Sequence, residues 1–207
     1  MRKIIYALAL SAVSSMSIIA CAQDKASKRQ NGMTENKKVL VAYFSRTGEN
    51  YGVGNITKGN TQIVAEMISG ETGSDLFHIE PAVAYPDKYD DCVNLAKQEL
   101  GSKARPAVKG NVQTEDYDVI FIGYPNWWGD MPMPVYTFLE KHDWNGKTIV
   151  PFCTHEGSGL GSTTSKLQSA CKGAKVLKGL AIYGHTAQND REETEKATHG
   201  WLESLSY

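Results

Sequence analysis

The chain is short of cysteine, with four in 207 residues, and of proline, with seven, and 22 Lys and Arg against 23 Asp and Glu leave a formal net charge of only −1. Four cysteines in this length exclude a disulfide scaffold. The missing basic excess excludes an ordinary nucleic-acid binder, and the spread of Val, Ile, Leu and aromatics excludes a disordered chain. Repeats and low-complexity tracts are lacking. The loop after Phe44 is followed by no Gly-Lys-Ser/Thr triplet and is not a Gly-x-Gly-x-x-Gly dinucleotide turn, and no nucleophile elbow sits on a strand before His155 and Glu156, which argues against a hydrolase. Cys92, Cys153 and Cys171 lack metal-ligand spacing, and the five histidines are scattered singly, so no metal site is expected. One ordinary globular domain remains.

The start of the chain is different. Met1-Arg-Lys precedes an apolar run from Ile4 to Leu10, then small residues and Ser17-Ile-Ile-Ala-Cys21. This is the order of a secretory signal, and its serines make it a poor permanent span compared with the roughly 20 apolar residues a bilayer requires. Ile18-Ile19-Ala20-Cys21 resembles the lipobox of bacterial lipoproteins, which implies cleavage after residue 20, lipid on Cys21 and a place in the bacterial cell envelope. Residues 21–38 read as a flexible tether without an aliphatic stripe. Residues 39–207 carry 15 basic and 21 acidic residues, an acidic body that does not seek nucleic acid.

From Val39 the apolar pattern switches period regularly. Val39–Phe44, Asp75–Ile79, Val119–Gly123, Thr148–Cys153 and Val176–Tyr183 read as strands. Between and after them, a segment capped by Asn60 or Thr61 and ending at Gly70, then Tyr89–Leu100, Pro134–Lys141, Ser162–Cys171 and Glu192–Leu205, read as helices. Alternation of this kind predicts an α/β fold: a doubly wound five-stranded parallel sheet in a three-layer α/β/α sandwich. With Cys92 and Cys171 on different crossover helices and Cys153 ending a strand, no disulfide is expected.

Ligands of such sheets sit beyond the carboxyl ends of the strands. After the first strand come Ser45-Arg-Thr-Gly48, an extra stretch 49–59, and Asn60-Thr61 opening a helix: hydroxyls, amides and a helix end suited to a phosphate. After the third come Tyr124-Pro-Asn-Trp-Trp-Gly-Asp130, where one tryptophan is expected to pack inward and the other to meet a flat ligand. After the fourth come Thr154-His-Glu-Gly-Ser-Gly-Leu-Gly161, with glycines that let backbone approach a ligand.

These three segments resemble the flavin-mononucleotide (FMN) loops of the flavodoxin family. That resemblance covers residues 39–207 and implies strand order 2-1-3-4-5. It implies a phosphate loop of Ser45, Arg46, Thr47, Gly48, Asn60 and Thr61, a ring site at Pro125, Asn126, Trp127, Trp128 and Gly129, and a third loop of Thr154, His155, Glu156, Gly157 and Gly159. Trp127 or Trp128 stacks on the flavin in this scheme, and Gly129 supplies the flexible peptide. Stretch 49–59 departs from the family pattern, as do His155 and Glu156, which stand where the family commonly has an aromatic or small polar residue. The implied function is electron transfer through FMN to redox partner proteins, by a monomer held to the membrane through its lipid alone. Two alternatives stand beside it: an FMN-dependent NAD(P)H:quinone or azo reductase, and a tethered flavin- or nucleotide-binding module without redox work.

Overall fold

A computed structural model describes residues 37–207. The leader, Cys21 and all but the end of the tether lie outside the described residues. The central sheet is built from β1 (Val39–Tyr43), β4 (Asp75–His78), β5 (Val119–Pro125), β6 (Thr148–His155), β7 (Lys175–Val176) and β8 (Leu180–Tyr183). Its order is β4-β1-β5-β6, with β7 and β8 sharing the position beyond β6, and every pairing is parallel. That is order 2-1-3-4-5 and five strand positions.

Alternation along β1 shows why both faces are covered. Leu40, Ala42 and Phe44 join Ile120, Ile122, Tyr124, Val135, Phe138 and Leu167 in one apolar layer. Val41 and Tyr43 join Val64, Ile68, Phe121, Phe152 and Trp201 in the other. Helices α1 (Asn60–Thr72), α5 (Gly184–Asn189) and α6 (Arg191–Ser204) cover the second face; α3 (Met133–Leu139) and α4 (Thr163–Ala170) cover the first, with α2 (Tyr89–Ser102) against α3. Burial on both sides is what demands near-continuous apolar strands.

The structure moves several boundaries. Stretch 49–59 and Gly48 before it form a two-stranded antiparallel hairpin, β2 (Gly48–Asn50) and β3 (Gly54–Ile56), that pairs with no strand of the main sheet. The cap of α1 is Gly59, neither Asn60 nor Thr61, and the helix runs past Gly70 to Thr72. Strand β6 continues two residues beyond Cys153, because Thr154 and His155 pair with Ile182 and Tyr183. The expected last strand is split in two. Its break falls opposite Pro151 of β6, which has no N–H to offer an edge strand. Helix α5 and a 3-10 turn at Thr114–Asp116 are additions, too short for a periodic pattern.

Candidate functional site

The first strand end is joined to helix α1 by close backbone approach. A Cβ on Gly59 would overlap the Ser45 hydroxyl and the Arg46 carbonyl, so only glycine lets this loop lie against the helix end. The buried Ser45 hydroxyl then accepts a hydrogen bond from the Gln62 amide at 3.1 Å, and the Ile63 amide reaches the Gly59 carbonyl. The remaining first-turn amides, on Asn60 and Thr61, have no intrahelical acceptor, and no acidic residue sits in that turn to repel an anion. The Thr61 hydroxyl faces inward instead, paired at 2.7 Å with the equally buried Thr154 hydroxyl of β6. The Asn60 side-chain oxygen accepts from Gln188 of α5.

Arg46 lines the site with its guanidinium engaged by backbone. Its guanidinium donates to the carbonyls of Glu49, Pro86 and Asp87 at 2.6 to 3.0 Å. With the Tyr89 amide donating to the Glu49 carboxylate and Tyr51 lying on Tyr89, these bonds hold the hairpin beside α2. The hairpin tip meets the third loop: a Cβ on Gly52 would lie 3.1 Å from the Glu156 carboxyl carbon.

A cleft of about 330 Å³ opens between these parts, within the size range of small-molecule sites. Pro125, Asn126, Trp127 and Trp128 form one side and Thr154, His155, Glu156 and Ser158 another. The hairpin contributes Asn50 and Tyr51, and α2 contributes Tyr89, Cys92, Val93 and Ala96. Trp127 is half-buried, edge-on to Phe44 and Tyr85 at 5.2 and 5.1 Å. Trp128 is 52% exposed, with its indole N–H on the Val93 carbonyl and the Lys97 ammonium 5.0 Å from its ring centre. Trp128 has a backbone φ of +56°, a conformation costly for a bulky residue and retained here by those α2 contacts.

Asn126 ties the second and third loops together, accepting from the Gly129 amide and donating to the Gly159 carbonyl. Gly157 and Gly159 have positive φ, as their loop path requires. In the third loop, Glu156 accepts from the backbone amide of His185 at 2.8 Å and pairs with its ring at 2.6 Å, so the carboxylate closes the first turn of α5. The His155 ring packs on Tyr183 with centroids 4.5 Å apart, and its Nδ1 accepts from the Gly157 amide at 2.9 Å. Burial holds His155 below the ordinary imidazole range, with Glu156 acting in the opposite direction.

The structure therefore brings nine of the residues expected from sequence onto one cleft: Arg46, Asn60, Pro125, Asn126, Trp127, Trp128, Thr154, His155 and Glu156. Ser45 and Thr61 lie behind it at the α1 end. Thr47 is exposed, Gly48 lies against the Asp87 carbonyl, and Gly129, Gly157 and Gly159 shape backbone without lining the cleft. Sequence reasoning missed Asn50, Tyr51, Tyr89, Cys92, Val93, Ala96 and Ser158. Val93 and Ala96 share a helical face, but periodicity assigns such a face to the core and cannot show that the core opens there.

A family model described as flavodoxin matches residues 38–203. A Bacteroides eggerthii protein assigned as a flavoprotein is 34% identical, with 81% of this chain and 96% of that one covered and a TM-score of 0.64. A Bacteroides uniformis protein with the same assignment is 29% identical over 82% of this chain and all of its own, also at 0.64. At 22% identity, and therefore alike in fold alone, stands a Lactobacillus acidophilus flavoprotein solved with FMN, covering 76% of this chain and 99% of that one at a TM-score of 0.56. Comparison with curated proteins gives no match. Sheet order, three loops that meet at one cleft beyond the carboxyl ends of its strands and a family match across the described domain agree: the chain belongs to the flavodoxin family.

Proposed function

We propose that the protein is an FMN-binding electron carrier. One observation supports this above the others: a helix end with open amides, fitted for a phosphate, opens onto the same cleft as two adjacent tryptophans. The Asn60 and Thr61 amides suit a phosphate monoester, because a helix N-terminus favours negative charge. Trp127, fixed by Phe44 and Tyr85, and the exposed Trp128 suit the two ends of a flat conjugated ring. When bound, FMN supplies the reactive centre, accepting and giving up one or two electrons. The chain's own part is to hold the phosphate, shield the ring and leave its edge within reach of a redox partner protein.

The direct test is the visible spectrum of the purified full chain and its calorimetric titration with FMN and riboflavin. Tight FMN binding with much weaker riboflavin binding supports the assignment of the phosphate end, and a colourless protein with no affinity for either rejects it. The exposed rings of Tyr51, Tyr89 and Trp128 favour a second reading, in which a planar quinone takes the electrons. Quinone turnover with NAD(P)H above about 10 per second, the median for enzymes, would select that reading.

The same proposal places the carrier on the bacterial cell envelope through lipid on Cys21. Full-length protein then partitions to membranes, and Cys21→Ser stays uncleaved and loses the lipid. A Cys21→Ser protein that is cleaved normally rejects the lipoprotein assignment.

A further inference from the structure

The third loop puts an imidazole at the cleft. His155 is the last residue of β6, and the β6–β8 register sets it opposite Tyr183. Side chains opposite one another on neighbouring strands lie on the same face, so the imidazole rests on the phenol ring, and a rigid sheet rather than a loop fixes its position. The Gly157 amide donates to Nδ1. In a neutral imidazole one nitrogen donates and the other accepts, so this bond assigns the proton to Nε2. Nε2 has no hydrogen-bond partner among the described residues, and the side chain lines the cleft. The charged and titratable groups around it are Glu156, Tyr183 and His185, and the first and last of these are engaged with each other.

We propose that His155, locked as its Nε2–H tautomer, donates a hydrogen bond to a carbonyl oxygen of a planar conjugated ring in the cleft. Through that bond it stabilises the negative charge the oxygen gains when the ring is reduced. The acceptor chemistry is shared by the pyrimidine carbonyls of a flavin and by a quinone, and the proposal rests on the FMN reading for the presence of such a ring. A neutral donor is the useful form here. It lowers the free energy of a developing anion without a proton changing owner, and its strength grows with the charge on the acceptor. Burial agrees, since it disfavours the imidazolium.

Two substitutions separate the ring positions. Glutamine places an amide nitrogen near the position of Nε2, whereas asparagine places one near Nδ1. In full-chain protein loaded with FMN, His155→Asn is expected to weaken binding of reduced FMN about tenfold relative to oxidised FMN, equivalent to 59 mV for one electron. His155→Gln is expected to stay within about twofold of wild type. Equal losses in both variants, or no loss in either, overturn the donor role. The tautomer is read independently from imidazole nitrogen shifts of the wild-type full chain at pH 7.5, with the His155 signals identified by their loss in His155→Gln. Protonated Nε2 and bare Nδ1 are expected; the reverse pattern, or an imidazolium, rejects the proposal even if FMN binds. A shift of the Nε2 proton on adding FMN identifies the flavin as acceptor, and a shift only when menadione follows identifies a quinone. No shift with either overturns the assignment. A chain that retains no FMN rejects the parent reading instead, and the cofactor-free tautomer measurement still decides the state of His155.

Discussion

The Thr61 and Thr154 hydroxyls show how one buried pair couples the start of α1 to the sheet. Each is the other's partner, 2.7 Å apart and almost completely buried. Thr61→Val leaves the Thr154 hydroxyl unpaired in an apolar setting and is expected to cost about 1 to 3 kcal/mol. The double variant Thr61→Val, Thr154→Val removes both polar atoms at nearly constant shape, and denaturant unfolding should find it closer to wild type than either single variant. Additive losses would show that the pair contributes through packing alone. A second residue-scale effect depends on pH. Because the folded-state pKa of His155 is depressed, neutral His155 adds stability above the ordinary value of 6.5, and that contribution is lost as pH falls below it. Protonation would place a hydrogen on Nδ1 and break the bond from the Gly157 amide. Amide exchange at Gly157 should therefore rise on acidification in wild type and be insensitive to pH in His155→Gln, once intrinsic exchange is subtracted.

At the scale of elements, the hairpin and the α1 junction carry the geometry of the cleft. Arg46→Ala removes three charged donors from carbonyls on two segments and should cost about 1.5 to 3 kcal/mol, with faster amide exchange confined to the hairpin and the chain around Asp87. Gly59→Ala should cost about 1 to 3 kcal/mol through overpacking and weaken FMN binding more than Arg46→Ala does, because it pushes the Ser45 loop from the helix end. Unchanged FMN affinity in Gly59→Ala would place the phosphate elsewhere. The five strand positions and their alternating helices were legible in the sequence because runs such as Val119 to Gly123 are too short for a helix and rich in β-formers, as a strand buried on both faces requires. The hairpin was not, since Gly48-Glu-Asn and Gly54-Asn-Ile have no apolar alternation and are held, through neighbouring Arg46 and the Glu49 amide, to the loop at Asp87, about 40 residues away. The end of β6 was hidden for a related reason. Polar Thr154 and His155 look like loop until β8 is known to lie beside them. Of the nine site residues found, eight end a strand or lie just after one and Asn60 opens a helix, while those on α2 depend on where one helix packs, which local pattern does not encode.

For the whole molecule, burial governs thiol chemistry. Cys92, Cys153 and Cys171 are free and buried, and burial pushes the thiols of Cys153 and Cys171 up to about 12. Ellman's reagent should react slowly with these three in the native protein and rapidly in denaturant, and FMN should further slow Cys92, which lines the cleft. Fast native modification of all three would contradict the packed sheet. The same architecture divides the four tryptophans. Trp144 and Trp201 are buried in opposite apolar layers, and Trp127 and Trp128 line the cleft. Indole emission overlaps the absorption of an oxidised flavin, so energy transfer turns this division into an optical readout. Flavin seated between the loops would shorten the fluorescence lifetimes of the cleft pair most, leave the remote pair nearer their unquenched values, and so report the occupancy of the native protein without an added label.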